Sequence, residues 1–409
     1  MNYFYLILPL FLLTHNLAAQ TGCTDPQANN FDPAALENDG SCLYPPTTYT
    51  LETITPLPAN LEEVSGAIFI NDQLWVHEDA GNEDRIYQID SLTGNIEHLL
   101  TIANADNYDW EDIADDDTHV YIGDFGNNDG NRTNLRIYKF AKTDLAENVA
   151  IPEVIEFAFS DQTDFSVNTN NHNFDCEALL FFEDSLHLFS KNWVDFKTRH
   201  YVLPTTAGQH IAQLRDSLNV EAQITGADRS DSGEVVLLGY NVATSETIFW
   251  LLYDFPNNQF FKGNKRKISL GSALNNSQTE GVTFRNDRTG YVVSEKFSVL
   301  NQKILRFNLQ PFFEMPLSNF TPDISDKIKI FPNPFQDRLT IEWSELNESI
   351  IDIQLTNSNG TVVINLPKSI HGFGKEFSIS LANYPLPNGI YFVEIRTKNG
   401  VVRQKIIKN

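Results

Sequence analysis

Five oxygen-bearing residues recur at matching places along the chain: Ser65, Glu111, Glu177, Thr225 and Glu280. In most copies two small or apolar residues follow: Gly66-Ala67, Ala178-Leu179, Gly226-Ala227 and Gly281-Val282, with Asp112-Ile113 the exception. Three carboxylates and two hydroxyls brought to one place suit a cation. Carboxylates at close range repel, and each raises its neighbours' pKa unless a positive ion sits among them. An all-oxygen donor set favours a hard ion, and a flexible ring suits Ca²⁺ better than Mg²⁺. The column predicts a Ca²⁺ site.

The elements that must bring these residues together are strands. Residues 109–140 read as three strands of aromatic and β-branched residues parted by Asp/Asn/Gly turns. The same unit starts again at Val64, Cys176, Ile224 and Thr279. A period of roughly 50 residues with about four strands per repeat predicts an all-β chain built on a five-bladed β-propeller. The first strand of each blade lines the central channel, so the column becomes a ring around it. The fifth repeat shows three clear strands before Gln310, and residues 47–55 are expected to lend it a fourth. A sixth, degenerate blade within residues 141–173 stays open beside the reading of that connection as an outer strand and a polar insertion.

The loops between second and third strands crowd one end of a propeller channel, where function often sits. They read HEDAGNEDR, GDFGNNDGNR, SKNW, GYN and SEKF. From them come the ligand-binding candidates Glu78, Asp79, Asp124, Asn127, Lys191, Trp193, Tyr240 and Lys296. Glu295 is placed in an outer loop, away from the ring. The expected ligand is an extracellular glycan, protein or small molecule.

The column resembles that of the calcium-activated nucleotidase (apyrase) family over residues 47–310. In those five-bladed propellers a central Ca²⁺ is held by one residue per blade, in the order Ser, Glu, Glu, Ser, Glu. Here Thr225 takes the fourth place. The resemblance implies Ser65, Glu111, Glu177, Thr225 and Glu280 as metal ligands and a calcium-dependent nucleotide phosphohydrolase as the alternative function. The family carries D-D-R-T-G in its first such loop. This chain has Glu78-Asp79-Ala80-Gly81, which keeps a carboxylate, makes Asp79 the catalytic candidate and puts Ala80 at the Arg position. Phosphoryl transfer needs positive clamps on the phosphate oxygens, and the loops supply few: Arg85, Arg132, Lys191, Lys197, Arg199 and Lys296. No serine-hydrolase elbow, HExxH, Walker loop or complete EF-hand is present.

A net charge of −25 over 409 residues argues against nucleic acid or anionic membranes as partners. Residues 1–19 read as a signal peptide, with an apolar run at 4–13 too short to span a bilayer comfortably. No other stretch reads as a membrane span. Residues 20–46 contain GCTDPQANNFDPAALENDGSC, similar to a short Cys-bounded segment found in many secreted bacterial proteins. The resemblance and an extracytoplasmic setting let Cys23 and Cys42 pair. The segment reads as a stapled polar spacer whose Asp and Asn side chains also suit a metal. Cys176, alone at the start of an apolar run, reads as a buried thiol.

Residues 311–327 are rich in Pro, Ser and Asn and read as a linker. Alternating strands and turns over 328–409, one turn at Asn359-Gly360, imply a small β-sandwich. This part resembles the C-terminal sorting domain of type IX (Por) secretion through Phe331-Pro332-Asn333-Pro334, Leu386-Pro387-Asn388-Gly389-Ile390-Tyr391 and the basic tail Lys405-Ile406-Ile407-Lys408. The resemblance implies the type IX machinery as partner. It also implies a route through the periplasm to the outer-membrane surface or medium of a Gram-negative cell.

Overall fold

The computed structural model describes residues 20–313, 328–343, 350–357, 362–366, 376–382, 384–397 and 400–409. The expected signal peptide, most of the expected linker and the turn at Asn359-Gly360 lie outside them.

The chain is all-β and propeller-like. Antiparallel meanders follow one another, each starting with a strand that carries one residue of the column. The first runs through Val64–Ile70, Gln73–Glu78, Arg85–Ile89 and Ile96–Ile102. The second runs through Trp110–Asp115, His119–Asp124, Leu135–Ala141 and Glu153–Phe159. The third runs through Cys176–Phe182, Ser185–Ser190, Lys197–Pro204 and Gly208–Asn219. The fourth runs through Gln223–Arg229, Val235–Asn241, Glu246–Tyr253 and Asn264–Ser272. The last has Gln278–Phe284, Thr289–Glu295 and Lys303–Asn308, and its fourth strand is Glu52–Pro56, paired against residues 303–306. Thr47 and Thr48 pair instead with Ile268 and Ser269 of the fourth meander. The second and third meanders fuse into one eight-stranded sheet, because Glu153–Phe159 runs parallel to the start of Gly208–Asn219.

The five first strands neighbour one another in a closed cycle. Apolar clusters fill the wedges between neighbours. Trp75, Trp110 and Tyr138 pack between the first two meanders, Phe249 and Phe307 between the last two, and Leu61, Val76 and Val293 where last meets first. Buried Cys176 lies in the cluster between second and third, as a free thiol.

The cycle is tight, and that explains the small residues after the column. A Cβ on Gly281 would stand 2.3 Å from the Ser65 carbonyl oxygen, and one on Gly226 would stand 2.5 Å from that of Glu280. Asp112, the exception, uses the space. Its buried carboxylate crosses to two other first strands, accepting from the N–H of Leu179 (2.8 Å) and of Ala227 (3.2 Å). It stitches three first strands together.

The Cys23–Cys42 disulfide is present, and the segment is not a spacer. It docks on the fourth meander: Arg266 donates to Gln27 (2.6 Å), Asn38 to the Asp254 carbonyl (3.0 Å), and the hydroxyls of Tyr44 and Tyr253 meet at 2.8 Å. Near the C-terminus, a three-stranded and a four-stranded sheet share one apolar core that includes Ile341, Ile353, Val393, Ile395 and Ile406. The basic tail forms the edge strand Gly400–Lys408.

Candidate functional site

All five column residues sit at β-bulges. The ladder steps from Trp110 to Asp112, from Cys176 to Ala178, from Ile224 to Gly226 and from Thr279 to Gly281, leaving Glu111, Glu177, Thr225 and Glu280 unpaired. The corresponding shift in the first meander spans Ser65 and Gly66. A bulge re-aims the side chain it frees, so the recurring column is also a recurring backbone device. All five residues are buried.

Their side chains are not equivalent. The hydroxyls tie neighbouring strands together: Ser65 Oγ donates to the Glu111 carbonyl (2.6 Å) and Thr225 Oγ1 to the Thr279 carbonyl (3.0 Å). Glu177 is bound by the ammonium of Lys191, both side chains more than nine-tenths buried. Burial alone would lower the Lys191 pKa, but Glu177, Tyr240 and Glu280 around it hold it well above the usual lysine range. The same ammonium lies over the rings of Trp193 (5.2 Å) and Tyr240 (5.8 Å). Glu280 accepts from Gln278 Nε2 at 2.7 Å.

Glu111 belongs to a compact acidic group. Carboxylate oxygens of Asp79, Asp109 and Glu111 lie within 4.8 Å of one another. Burial, then the charges of Asp79 and Asp175, raise Asp109 to about 7. Burial, then Glu177, Asp79 and Asp109, raise Glu111 well above the carboxylate range. Burial also raises Asp79. Glu280 is pushed to about 7, first by burial. Glu295 is not in an outer loop apart from the ring: burial and then the charge of Glu280 push it to about 9. Asp109, two residues before Glu111, was missed, although the sequence holds a signal for it: an acid or amide stands two residues before every column residue, at Glu63, Asp109, Asp175, Gln223 and Gln278.

Of the loop candidates, Asp124 and Asn127 brace the loop they sit in. Asp124, expected to face a ligand, is buried between Arg132 NH2 (2.8 Å) and Arg136 Nε (3.0 Å), the second an ion pair without hydrogen-bond alignment. Asn127 is buried too, accepting from the Arg132 N–H (3.0 Å) and donating to the Phe174 carbonyl (2.9 Å). Lys296 pairs at the surface with Glu62 (2.7 Å). Trp193 Nε1 donates to Asp175 (2.8 Å), and Glu78 takes a long bond from the Tyr87 hydroxyl (3.4 Å). Arg132, Arg199 and Arg85 are bound to Asp124, Asp161 and Glu83. Among the described residues no free cluster of cations stands over the acidic group. An opening of about 240 Å³ lies at the other ends of the first strands, lined by Phe69, Asp115, Phe181, Asp228, Arg229 and Thr283 among others, so it is separate from this mouth.

Comparison with known proteins gives three kinds of likeness. Solved structures of similar shape include the calcium-binding protein regucalcin of Agrobacterium tumefaciens (9% identity, 64% of this chain and 95% of that one, TM-score 0.35). A gluconolactonase of Xanthomonas campestris (11%, 60% and 71%, TM-score 0.33) and a GH43_1 enzyme of Xanthomonas citri (12%, 62% and 89%, TM-score 0.38) are others. At such identities the likeness is one of fold alone. Among curated relatives, ribulose bisphosphate carboxylase/oxygenase activase of Oryza sativa subsp. japonica is 66% identical over 29 residues, 7% of this chain. The chain spans 6% of the length of that relative. Among the described residues no helix is long and apolar enough to cross a membrane. Residues 329–409 match the secretion system C-terminal sorting domain, and that tail marks the protein for type IX export to the cell surface.

Proposed function

We propose that the chain is a five-bladed propeller over residues 47–310, exported with a docked module (20–46) before it and a linker (311–327) and sorting sandwich (328–409) after it. At its channel mouth it binds Ca²⁺ and presents a ligand face outside the cell. The observation that carries the cation is the packing of Asp79, Asp109 and Glu111 within 4.8 Å. Three carboxylates this close, Glu111 buried and Asp79 and Asp109 half-buried, raise one another's pKa, and a hard divalent ion on oxygen donors relieves that. The nearby ammonium of Lys191 is engaged with Glu177. In this reading the ion sits on the Asp79–Asp109–Glu111 side, while Ser65, Thr225, Glu177 and Glu280 hold the strands that frame it. Lys191, Trp193 and Tyr240 form the ligand-facing wall beside it.

Binding is favoured over nucleotide hydrolysis because the loop arginines are tied to carboxylates. An ion bound only by the folded ring stabilises it by mass action, about 2.7 kcal/mol at a Ca²⁺ concentration of roughly 100 times Kd. Chelation is therefore expected to lower Tm and Ca²⁺ to restore it. An unchanged Tm in protein shown to be metal-loaded would remove the cation from the account. Phosphate release from nucleoside di- or triphosphates, dependent on Ca²⁺ and lost in Asp79→Asn, would replace the binding reading with the phosphohydrolase one.

A further inference from the structure

Between the fourth and fifth meanders, beside the acidic mouth, is a second cavity of about 200 Å³. Tyr240, Thr247, Ser277, Gln278, Thr279 and Phe297 form much of its wall, and no lining residue carries a charge. In a chain of net charge −25, an uncharged wall suits a neutral occupant.

The wall carries unused hydrogen-bonding capacity. Thr247 Oγ1 and Thr279 Oγ1 have no partner, although both residues are at least 99% buried. Outside the wall, on the strand next to Tyr240, fully buried Gln223 also has neither amide atom paired. Tyr240 stands directly opposite Gln223 on one neighbouring strand and Thr247 on the other, so the three side chains share a face. Buried polar atoms are nearly always satisfied, and those left unpaired call for a specific explanation. Of the ten unpaired side-chain atoms among the described residues, two belong to this wall and two more to Gln223, opposite Tyr240. Ser277, also in the wall, has φ 63° and ψ −169°, a region that strains any residue but glycine and tends to occur at ligand sites.

We propose that this cavity binds a neutral, hydroxyl-rich ring: a monosaccharide, free or at the end of a glycan, or a cyclic polyol. The hydroxyls of Tyr240, Thr247 and Thr279 in the wall can each donate and accept, which matches sugar hydroxyls. Tyr240 and Phe297 offer apolar ring surface for the C–H faces of the same molecule. The volume equals roughly six or seven waters at about 30 Å³ each. That suits one ring and falls below the ~300 Å³ where pockets for drug-sized molecules begin. The proposal rests on the reading of the fold as a ligand-binding propeller. It does not rest on the cation, because Asp79, Asp109 and Glu111 are absent from the cavity wall.

The test is ligand-observed NMR and calorimetry on the full chain, in Ca²⁺ and in chelator. Probes are D-galactose, D-glucose, myo-inositol and a short oligosaccharide, with D-glucuronate and cyclohexanol as charged and apolar counterparts. At least one neutral probe is expected to bind in both media. Thr247→Val/Thr279→Val should weaken it at least about tenfold, since two hydrogen bonds are lost. The same change should leave the ligand-free Tm equal or higher, because it removes unpaired hydroxyls. Phe297→Ala, on a partly exposed hairpin, should weaken the same probe and guards against a misfolded double variant. Binding of no neutral probe, binding of cyclohexanol or glucuronate alone, or full binding by both variants would overturn the proposal. Retained sugar binding in an Asp109→Asn chain that no longer takes Ca²⁺ would show that the two sites succeed or fail separately.

Discussion

Lys191→Met isolates the electrostatic logic of the channel mouth. The substitution keeps a long apolar stem and removes the ammonium from a side chain 9% exposed, leaving Glu177, 4% exposed, without its partner. Breaking a buried ion pair from one side costs about 3–5 kcal/mol, because the remaining charge is neither solvated nor paired. For a unit of this size, about 2–4 °C of Tm per kcal/mol puts the loss at roughly 6–20 °C in chelator. Adding Glu177→Gln should recover most of it, since the stranded charge then disappears. Removing a positive charge beside the acidic group should also tighten Ca²⁺ binding rather than weaken it. Thermal melts of the parent, the single variant and the double variant, each in chelator and in Ca²⁺, read all three effects. A chelated Lys191→Met protein within about 1 kcal/mol of the parent would refute the reasoning, because the pair would then not be a buried one.

The metal-free protein should gain stability on acidification from about pH 9 to pH 5. Glu295 (about 9), Glu280 and Asp109 (both about 7) hold protons more tightly folded than unfolded, so their contribution is fully present below the ordinary carboxylate range and lost as pH rises through those values. Melts across this range should show the slope, Glu295→Gln should flatten its upper part, and saturating Ca²⁺ should suppress it; a chelated protein whose stability rises steadily with pH contradicts the raised values. Deleting residues 405–409 removes the last four of the nine residues of the edge strand Gly400–Lys408 and the bond from the Phe335 N–H to the Ile407 carbonyl (2.8 Å). Fractionation should then find the chain in the periplasm, and normal surface delivery would argue against a sorting role for the tail.

The repeat was legible because each copy must start a strand at the channel, and that need leaves an oxygen-bearing residue and small neighbours in the same place. Why Asp112 breaks the pattern was not legible. Its partners, Leu179 and Ala227, lie 67 and 115 residues on and meet it only when the ring closes. The same holds for Lys191, which reaches Glu177 across a hairpin, and for Asp109, whose role depends on Asp79 from the meander before. Asp124 and Asn127 misled because polar loop residues look alike in sequence whether they face solvent or brace an arginine. Burial by Arg132 and Arg136 decides between the two, and burial is a property of the assembled loop. The docking of the Cys-bounded segment was hidden for a similar reason: Arg266 and Gln27 are 239 residues apart.

The central claim is that Asp79, Asp109 and Glu111 hold a calcium ion. Calorimetric titration of Ca²⁺ into chelator-stripped full-length protein tests it most directly, with Asp109→Asn run in parallel. The account predicts one saturable Ca²⁺ site in the parent, weakened at least about tenfold when one of three carboxylates is neutralised. No saturable binding by the parent, or equal affinity in the Asp109→Asn protein, would contradict it.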